Sequence, residues 1–483
     1  QLWQPGSRLP GPWRSGSGRR GGARGSGGWA PALACAGAAA AGLGGRATWR
    51  ARCDEPPSPG NGLQARPTSG ITPGEELILA ADCGGTTTRL MLYAVDPRAP
   101  ILEKQVAPGH IVFEEKYPNI LFKSFNDILR TFFQDVSLNV GEAVPRPLVA
   151  VLAIAGIVTG NQCRYTNLDW VVTSDELSKE FSISRVEIIN DFVAQGYGVL
   201  TLADSEVTTL HDAPRHKGAP IAVVGAGTGL GTCFLTIGPS GCYEAYPSEG
   251  GHIEFAPQGQ GSNDLQIELL KFLKVRLSGW NRISIERVVS GRGICNVYEF
   301  LSYHYPERVV KDVHLEFMAR PFDASIIAKN AWPGSLCEQA LQIFASCYGA
   351  HCGSTAIFLM PFSGVYLTGG VTHRLAEWMG RDGSFLEAYR DKGRMTPMLS
   401  SIPLLLVKGE SMGQRGAHLR AVRLLKEHHE GTGPRETGPS EHIQELVAPR
   451  DLDVEGIGSQ IAKLISEYRK THSDKPSTPP SSE

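Results

Sequence analysis

Residues Leu79–Tyr93 read LAADCGGTTTRLMLY. An apolar run ends at Asp82, the chain passes through Gly84, Gly85, Thr86, Thr87 and Thr88, and a second apolar run follows from Leu90 to Val95. Two β-like runs joined through paired glycines predict a hairpin. Its turn is suited to an anion, because glycine lets backbone N–H groups approach without a Cβ in the way and successive amides form a nest. The threonine hydroxyls add donors, and Asp82 at the strand end is placed to reach Mg2+ through water. Alone, the same residues also read as a tight β-turn with an Asx cap.

The device recurs along the chain. Ile221–Val224 enters Gly225-Ala226-Gly227-Thr228-Gly229-Leu230-Gly231, and Val365–Leu367 enters Thr368-Gly369-Gly370. Leu148–Ala155 is a continuous apolar run, as expected of a strand buried on both faces, and Val186–Ile189 runs into Asn190 and Asp191. Between these runs lie helical stretches. Leu265, Leu269, Phe272, Leu273 and Arg276 share one helical face, and Ser335 with Glu338 is a capping-box signature opening a helix through Leu341, Phe344 and Tyr348. The alternation predicts an α/β protein. None of the turns is a P-loop or a good dinucleotide fingerprint. Three strand-linked glycine turns, two with threonine hydroxyls, point to nucleotide phosphates.

The chain has 483 residues, 41% apolar and 20% charged, with a net charge of −2. Those are globular values for two to three domains. The charge is uneven. Residues 1–53 hold eight arginines and no acid, leaving 39 basic against 49 acidic residues beyond, a balance that argues against nucleic acid as main partner. No apolar run reaches the roughly 18 residues of a membrane helix. The ten cysteines form no CxxC pair and read as reduced, mostly apolar thiols. Cys347, His351 and Cys352 stand close together, with no second ligand pair for a metal. The first 75 or so residues, rich in Gly, Ala, Arg and Pro, read as a disordered leader resembling an organelle transit peptide. Ala30–Leu43 within it resembles a weak secretory h-region. If the leader targets, the destination is a plastid or mitochondrion; otherwise the protein is cytoplasmic. Beyond 425, a polar linker precedes an expected amphipathic helix, Leu452–Tyr468, and a disordered tail.

Seven motifs, LAADCGGTTTRLMLY, YTNLDW, VEIINDF, VVGAGTGLGTCFL, SEGGHIEF, ERVVSGRGICNVY and YLTGGV, occur in the order and approximate spacing of the bacterial-type glucokinases. The chain resembles that family over about Glu76–Arg423, through DKGRM (391–395) and GAHLRAV (416–422). Actins and heat-shock ATPases of the same superfamily share the phosphate turns but not SEGGH. The resemblance implies a two-lobed actin-like (ribonuclease H-like) ATPase fold with a central cleft. One lobe would run over 76–200 plus 411–425 and the other over 201–410. It also implies ATP with Mg2+ as donor, glucose as acceptor and a homodimer.

By the same resemblance, Asp191 is the base that takes the proton of the glucose 6-hydroxyl, and Asn190, Glu249, His252 and Glu286 are hexose contacts. Thr166 and Asn167 of YTNLDW support them. Asp82, Gly84, Gly85, Thr86, Thr87, Thr88, Gly225, Gly227, Thr228, Gly229, Gly231, Gly369 and Gly370 surround the nucleotide. Thr87 replaces the family's usual asparagine. Read from the residues alone, Asp191 is equally a helix N-cap and His252 a core histidine. Ile253–Leu270 lacks the cysteine cluster of the related ROK kinases and repressors, so no structural zinc is expected. A kinase for mannose or fructose, or a silent hexose sensor, would carry the same motifs.

Overall fold

The computed structural model describes residues 70–165, 168–259, 264–277, 281–320, 322–381 and 383–431. The leader, Thr166, Asn167 and the expected helix at 452–468 lie outside the described residues.

The first lobe is assembled from β1 (Glu76–Cys83), β2 (Thr87–Val95), β3 (His110–Pro118), β4 (Val149–Ile154), a ribbon of β5 (Gly156–Thr159), β6 (Gln162–Tyr165) and β7 (Val171–Thr173), and β8 (Arg185–Asn190). Its main sheet has the order β3-β2-β1-β4-β8. β1 and β2 form the expected antiparallel hairpin, with Cys83 opposite Thr88, while β4 and β8 run parallel to β1. All six residues of β4 are buried, which is why its sequence shows no alternation.

The second lobe carries β9 (Val207–His211), β10 (Ile221–Ala226), β11 (Leu230–Ile237), β12 (Tyr243–Ser248), β13 (Gly364–Thr368) and β14 (Leu404–Val407). The sheet order is β12-β11-β10-β13-β14-β9. One face is covered by the helices Leu265–Arg276, Gly291–His304 and Leu336–Leu359, whose apolar side chains share a core with Val224, Val365 and Leu367. Cys347, His351 and Cys352 are buried along the last of these. That helix starts on half of the expected capping box. The Ser335 hydroxyl accepts from Glu338 N, but the Glu338 carboxylate accepts from Gly334 N, one residue before the cap.

Two helices join the lobes, Asp191–Val199 and Met412–His429. The first gives Val193, Ala194 and Tyr197 to the core against the first sheet and Val199 to a core against the second. The second likewise gives Ala417, Leu419 and Ala421 to one core and Met412 to the other. They cross at backbone contact. A Cβ on Gly416 would overlap the carbonyl of Ala194, and one on Gly198 would overlap the carbonyl of Met412. Gly416→Ala therefore has to push two packed helices apart, and overpacking of this kind costs about 1–3 kcal/mol. The denaturant midpoint should fall accordingly with an unchanged m-value; an unchanged midpoint would show that the crossing is not tight.

Candidate active site

The first glycine turn is held by its own backbone and by one side chain from outside it. Gly84 N donates to Thr87 O across the turn. Asn119 N donates to Thr86 O, its Nδ2 donates to Gly84 O, and its Oδ1 accepts from the Thr88 hydroxyl at 2.9 Å. Asn119 is buried, and so is Thr88. The Thr88 hydroxyl, expected among the nucleotide donors, faces inward and is spent on Asn119. Thr86 stays exposed, with Gly84, Gly85 and Thr87 partly so. Asn119 itself carries no motif signal, since it follows β3, 31 residues beyond Thr88.

Asn190 ends β8 and Asp191 begins the next helix. The capping role falls to Asn190. Its Oδ1 accepts from Phe192 N at 2.8 Å and Val193 N at 3.3 Å, and its Nδ2 donates to Gly156 O at 3.0 Å. One amide hydrogen is left to offer a sugar hydroxyl. Asp191 stands one position further on, and its Oδ1 accepts from Phe192 N at 3.0 Å. Burial raises its carboxyl to about pH 6, helped by the charges of Asp82 and Glu249 and opposed by the backbone N–H bond. Asp82, at the end of β1, is also raised by burial, with Arg89 and Lys116 pulling the other way. Among the described residues no Lys or Arg forms an ion pair with either carboxylate.

The second turn's glycines divide into two kinds. Gly225 and Gly231 face each other across β10 and β11. A Cβ on either would meet the Phe192 ring, overlapping it at Gly231 and lying 2.9 Å away at Gly225. Their lack of a Cβ makes room for this ring. Gly227 has open space where a Cβ would be, and Thr228 is exposed. Gly229 closes on Glu286, whose carboxylate would lie 2.5 Å from a Cβ there. In the third turn, Gly369 has φ +96° and a Cβ would strike the Ala226 carbonyl, so the second and third turns are packed together. Gly370 begins the short helix Gly370–Arg374.

Of the remaining hexose candidates, Glu249 follows β12, His252 ends the short helix Gly250–His252, and Glu286 lies in the short helix Ile285–Arg287. Glu249 and His252 are exposed, 66% and 55% by side chain, with Nε2 3.7 Å from Oε2. The exposure rules out a core role for His252. Glu286 Oε2 accepts from Leu230 N at 3.1 Å, so it braces the second turn, and its other oxygen accepts from no other side chain or backbone group among the described residues. Electrostatic influence links Asp82, Asp191 and Glu249, and backbone packing links Glu286 to the second turn. Thr166 and Asn167 lie outside the described residues. Among the described residues no three His, Cys, Asp or Glu side chains gather to hold a metal, and no helix is long and apolar enough to cross a membrane.

Comparison with known proteins agrees with this geometry. The glucokinase family model matches residues 79–424. The chain is 37% identical to a glucokinase of Synechocystis over 357 residues, 71% of this chain and 98% of that protein. It is 31% identical to one of Shigella sonnei over 346 residues, 71% of this chain and 96% of that protein. The crystal structure of a glucokinase from an Antarctic psychrotroph superposes with a TM-score of 0.59 at 26% identity, covering 72% of this chain and 99% of that one. A glucokinase of Balamuthia mandrillaris in complex with glucose superposes at 0.58 and 23% identity, covering 72% and 94%, and shares the fold. The two lobes are those of the actin-like ATPase fold. Motif order, strand-end turns and full coverage of the relatives lead to one assignment: the chain belongs to the glucokinase family.

Proposed function

We propose that this protein transfers the γ-phosphoryl group of ATP to the 6-hydroxyl of glucose, with Asp191 as general base. The observation that carries the reading is Asp191 itself. It is a carboxylate at a strand-to-helix junction, oriented by a backbone N–H and raised to about pH 6, close to the pH at which a base must work. As the bond from O6 to the γ-phosphorus forms, the O6 proton passes to Asp191 and ADP leaves with the electrons of the broken P–O bond. Asn190, Glu249, His252 and Glu286 orient the sugar. Gly85, Thr86, Thr87 and Thr228 offer donors to the phosphates, Gly84 and Gly227 shape the turns through their own backbone bonds to Thr87 O and Gly229 O, and Gly369 and Gly370 border the nucleoside.

Asp82 suits a hydrated Mg2+. It is a carboxylate at the end of β1, without an ion-pair partner among the described residues, and held against the first turn of the helix Met412–His429, where a Cβ on Gly413 would lie 3.5 Å from it. When bound with ATP the ion would neutralise phosphate charge.

Asp191→Asn should abolish most turnover in a coupled glucose 6-phosphate assay while glucose binding persists. Near-normal kcat would remove the base assignment. Glucose binding without turnover in the unaltered protein would indicate a sensor, and preference for mannose or fructose a different acceptor.

Glu249 and Glu286 should separate by substrate. Glu249→Ala should raise the KM for glucose alone, by roughly tenfold. Glu286→Ala also unfastens Leu230 N and should raise the KM for ATP as well, whereas Glu286→Gln, which keeps an acceptor, should spare ATP. Equal effects of the two Glu286 variants on ATP would contradict the bracing role.

The raised carboxyl of Asp191 fixes the sign of the pH dependence. The base works only when ionised, so kcat/KM for glucose should fall as pH drops through about 6 rather than through about 4, the ordinary aspartate value. A profile flat down to pH 5 would show that another group accepts the proton.

A further inference from the structure

Three residues of the second sheet stand in one row across neighbouring strands. Gly231 on β11 is opposite Gly225 on β10, and Gly225 is opposite Thr368 on β13. All three lie next to the turns assigned to the nucleotide. The first two turns of the helix that begins at Asp191 rest on this row. The Phe192 ring occupies the space over Gly231 and Gly225 that side chains would otherwise fill. One turn on, Gln195 Oε1 accepts the Thr368 hydroxyl at 3.0 Å, and Thr368 is buried.

We infer that Phe192 and Gln195 are positioning residues, which set the Asp191 carboxylate in register with the phosphate turns of the second lobe. The inference rests on Asp191 being the base.

The physical link runs through the backbone. Phe192 N is the donor that Asp191 Oδ1 accepts, at 3.0 Å. The same amide also donates to Asn190 Oδ1 at 2.8 Å, and the ring wedged against two opposed glycines holds it from the second lobe, so the carboxylate is oriented from both sides even though Asp191 follows a strand of the first. Gln195 lies on the same face as Asp191, four residues on, and ties that face to the strand end leading into Gly369. The helix cannot then turn about its axis without breaking this partly buried hydrogen bond. Misplacing a reacting group by about 1 Å can cost on the order of a hundredfold in rate, so the wedge and the tie act on kcat and not on substrate affinity.

The test uses four single variants of the full chain and one double variant beside Asp191→Asn. Phe192→Leu keeps an apolar side chain and loses the ring. Gln195→Met loses the acceptor, Thr368→Val loses the donor at constant shape, and Thr368→Ser keeps it. We expect Phe192→Leu to lower kcat by about ten- to a hundredfold, with both KM values within about threefold. Its acid limb should move down from about pH 6 towards the ordinary carboxylate range as water reaches Asp191. Gln195→Met and Thr368→Val should each lower kcat by about three- to tenfold, and the double variant no further, since one bond is lost once. Thr368→Ser should stay near the unaltered enzyme.

A merely structural role would lower the melting temperature and leave kcat per folded molecule and the acid limb where they were. That result in Thr368→Val, which needs no repacking, overturns the inference even if Phe192→Leu does not fold, provided Asp191→Asn is inactive. Turnover by Asp191→Asn would overturn the base assignment and this inference with it.

Discussion

The close crossing of the helices Asp191–Val199 and Met412–His429 is the constraint on which the architecture depends. Each supplies side chains to cores of both sheets, so the two lobes share them instead of meeting across a surface. Sharing requires backbone contact, which Ala194, Gly198 and Gly416 permit and larger residues would not. The crossing is also fixed in rotation. Arg420, one turn beyond Gly416, is almost fully buried and pairs with Glu187 of β8 and with Glu427. A buried pair of this kind offers little net stability but penalises any register that separates its members. Since Asp191 heads one of these helices and Asp82 touches the start of the other, two carboxylates of the cleft take their places from the same crossing.

Those carboxylates are arranged against the preferences of stability. Asp82 and Glu249 raise the affinity of Asp191 for protons, and burial raises it further at Asp191 and at Asp82 itself. A fold selected only for stability would separate these groups or pair them with Lys and Arg, as it does for Glu187, Glu427 and Glu206 elsewhere. Desolvated like charges collect where chemistry needs a base or a cation site. The environments also differ. Asp191 is restrained by a backbone N–H, Asp82 is pulled back by Arg89 and Lys116, and Glu249 is exposed. Different surroundings allow identical functional groups to take different roles.

Much of this was readable in the sequence, for reasons that the structure explains. The hairpin around Gly84 and Gly85, the buried β4 and the junction at Asn190 and Asp191 are local features, encoded in consecutive residues by apolar runs and turn chemistry. What escaped is non-local. Asn119 holds the first turn from a loop beyond β3, and Arg420 meets Glu187 across 233 residues. The capping box at Ser335 was half right because the glutamate chose the amide one residue earlier, a choice that residue types do not encode. The Thr88 hydroxyl has a buried partner, Asn119, that is invisible in the motif.

The glycines show the limit of motif reading most clearly. A run such as Gly-Ala-Gly-Thr-Gly-Leu-Gly records that Cβ atoms are excluded at alternate positions, but not what excludes them. In the second turn three causes act within seven residues. Gly227 is left open towards solvent, Gly229 makes room for the Glu286 carboxylate, and Gly225 with Gly231 makes room for Phe192. Only the first matches the open approach that the pattern suggests, and there the Gly227 N–H itself donates to Gly229 O. The others bind the turn to the Glu286 carboxylate and to Phe192, the neighbour of Asp191. A loop that only held phosphate could tolerate drift relative to the acceptor site. This one is packed against Glu286 and Phe192, so the glycine pattern that looks like a nucleotide signature is in large part the imprint of those two side chains on the strands that carry it.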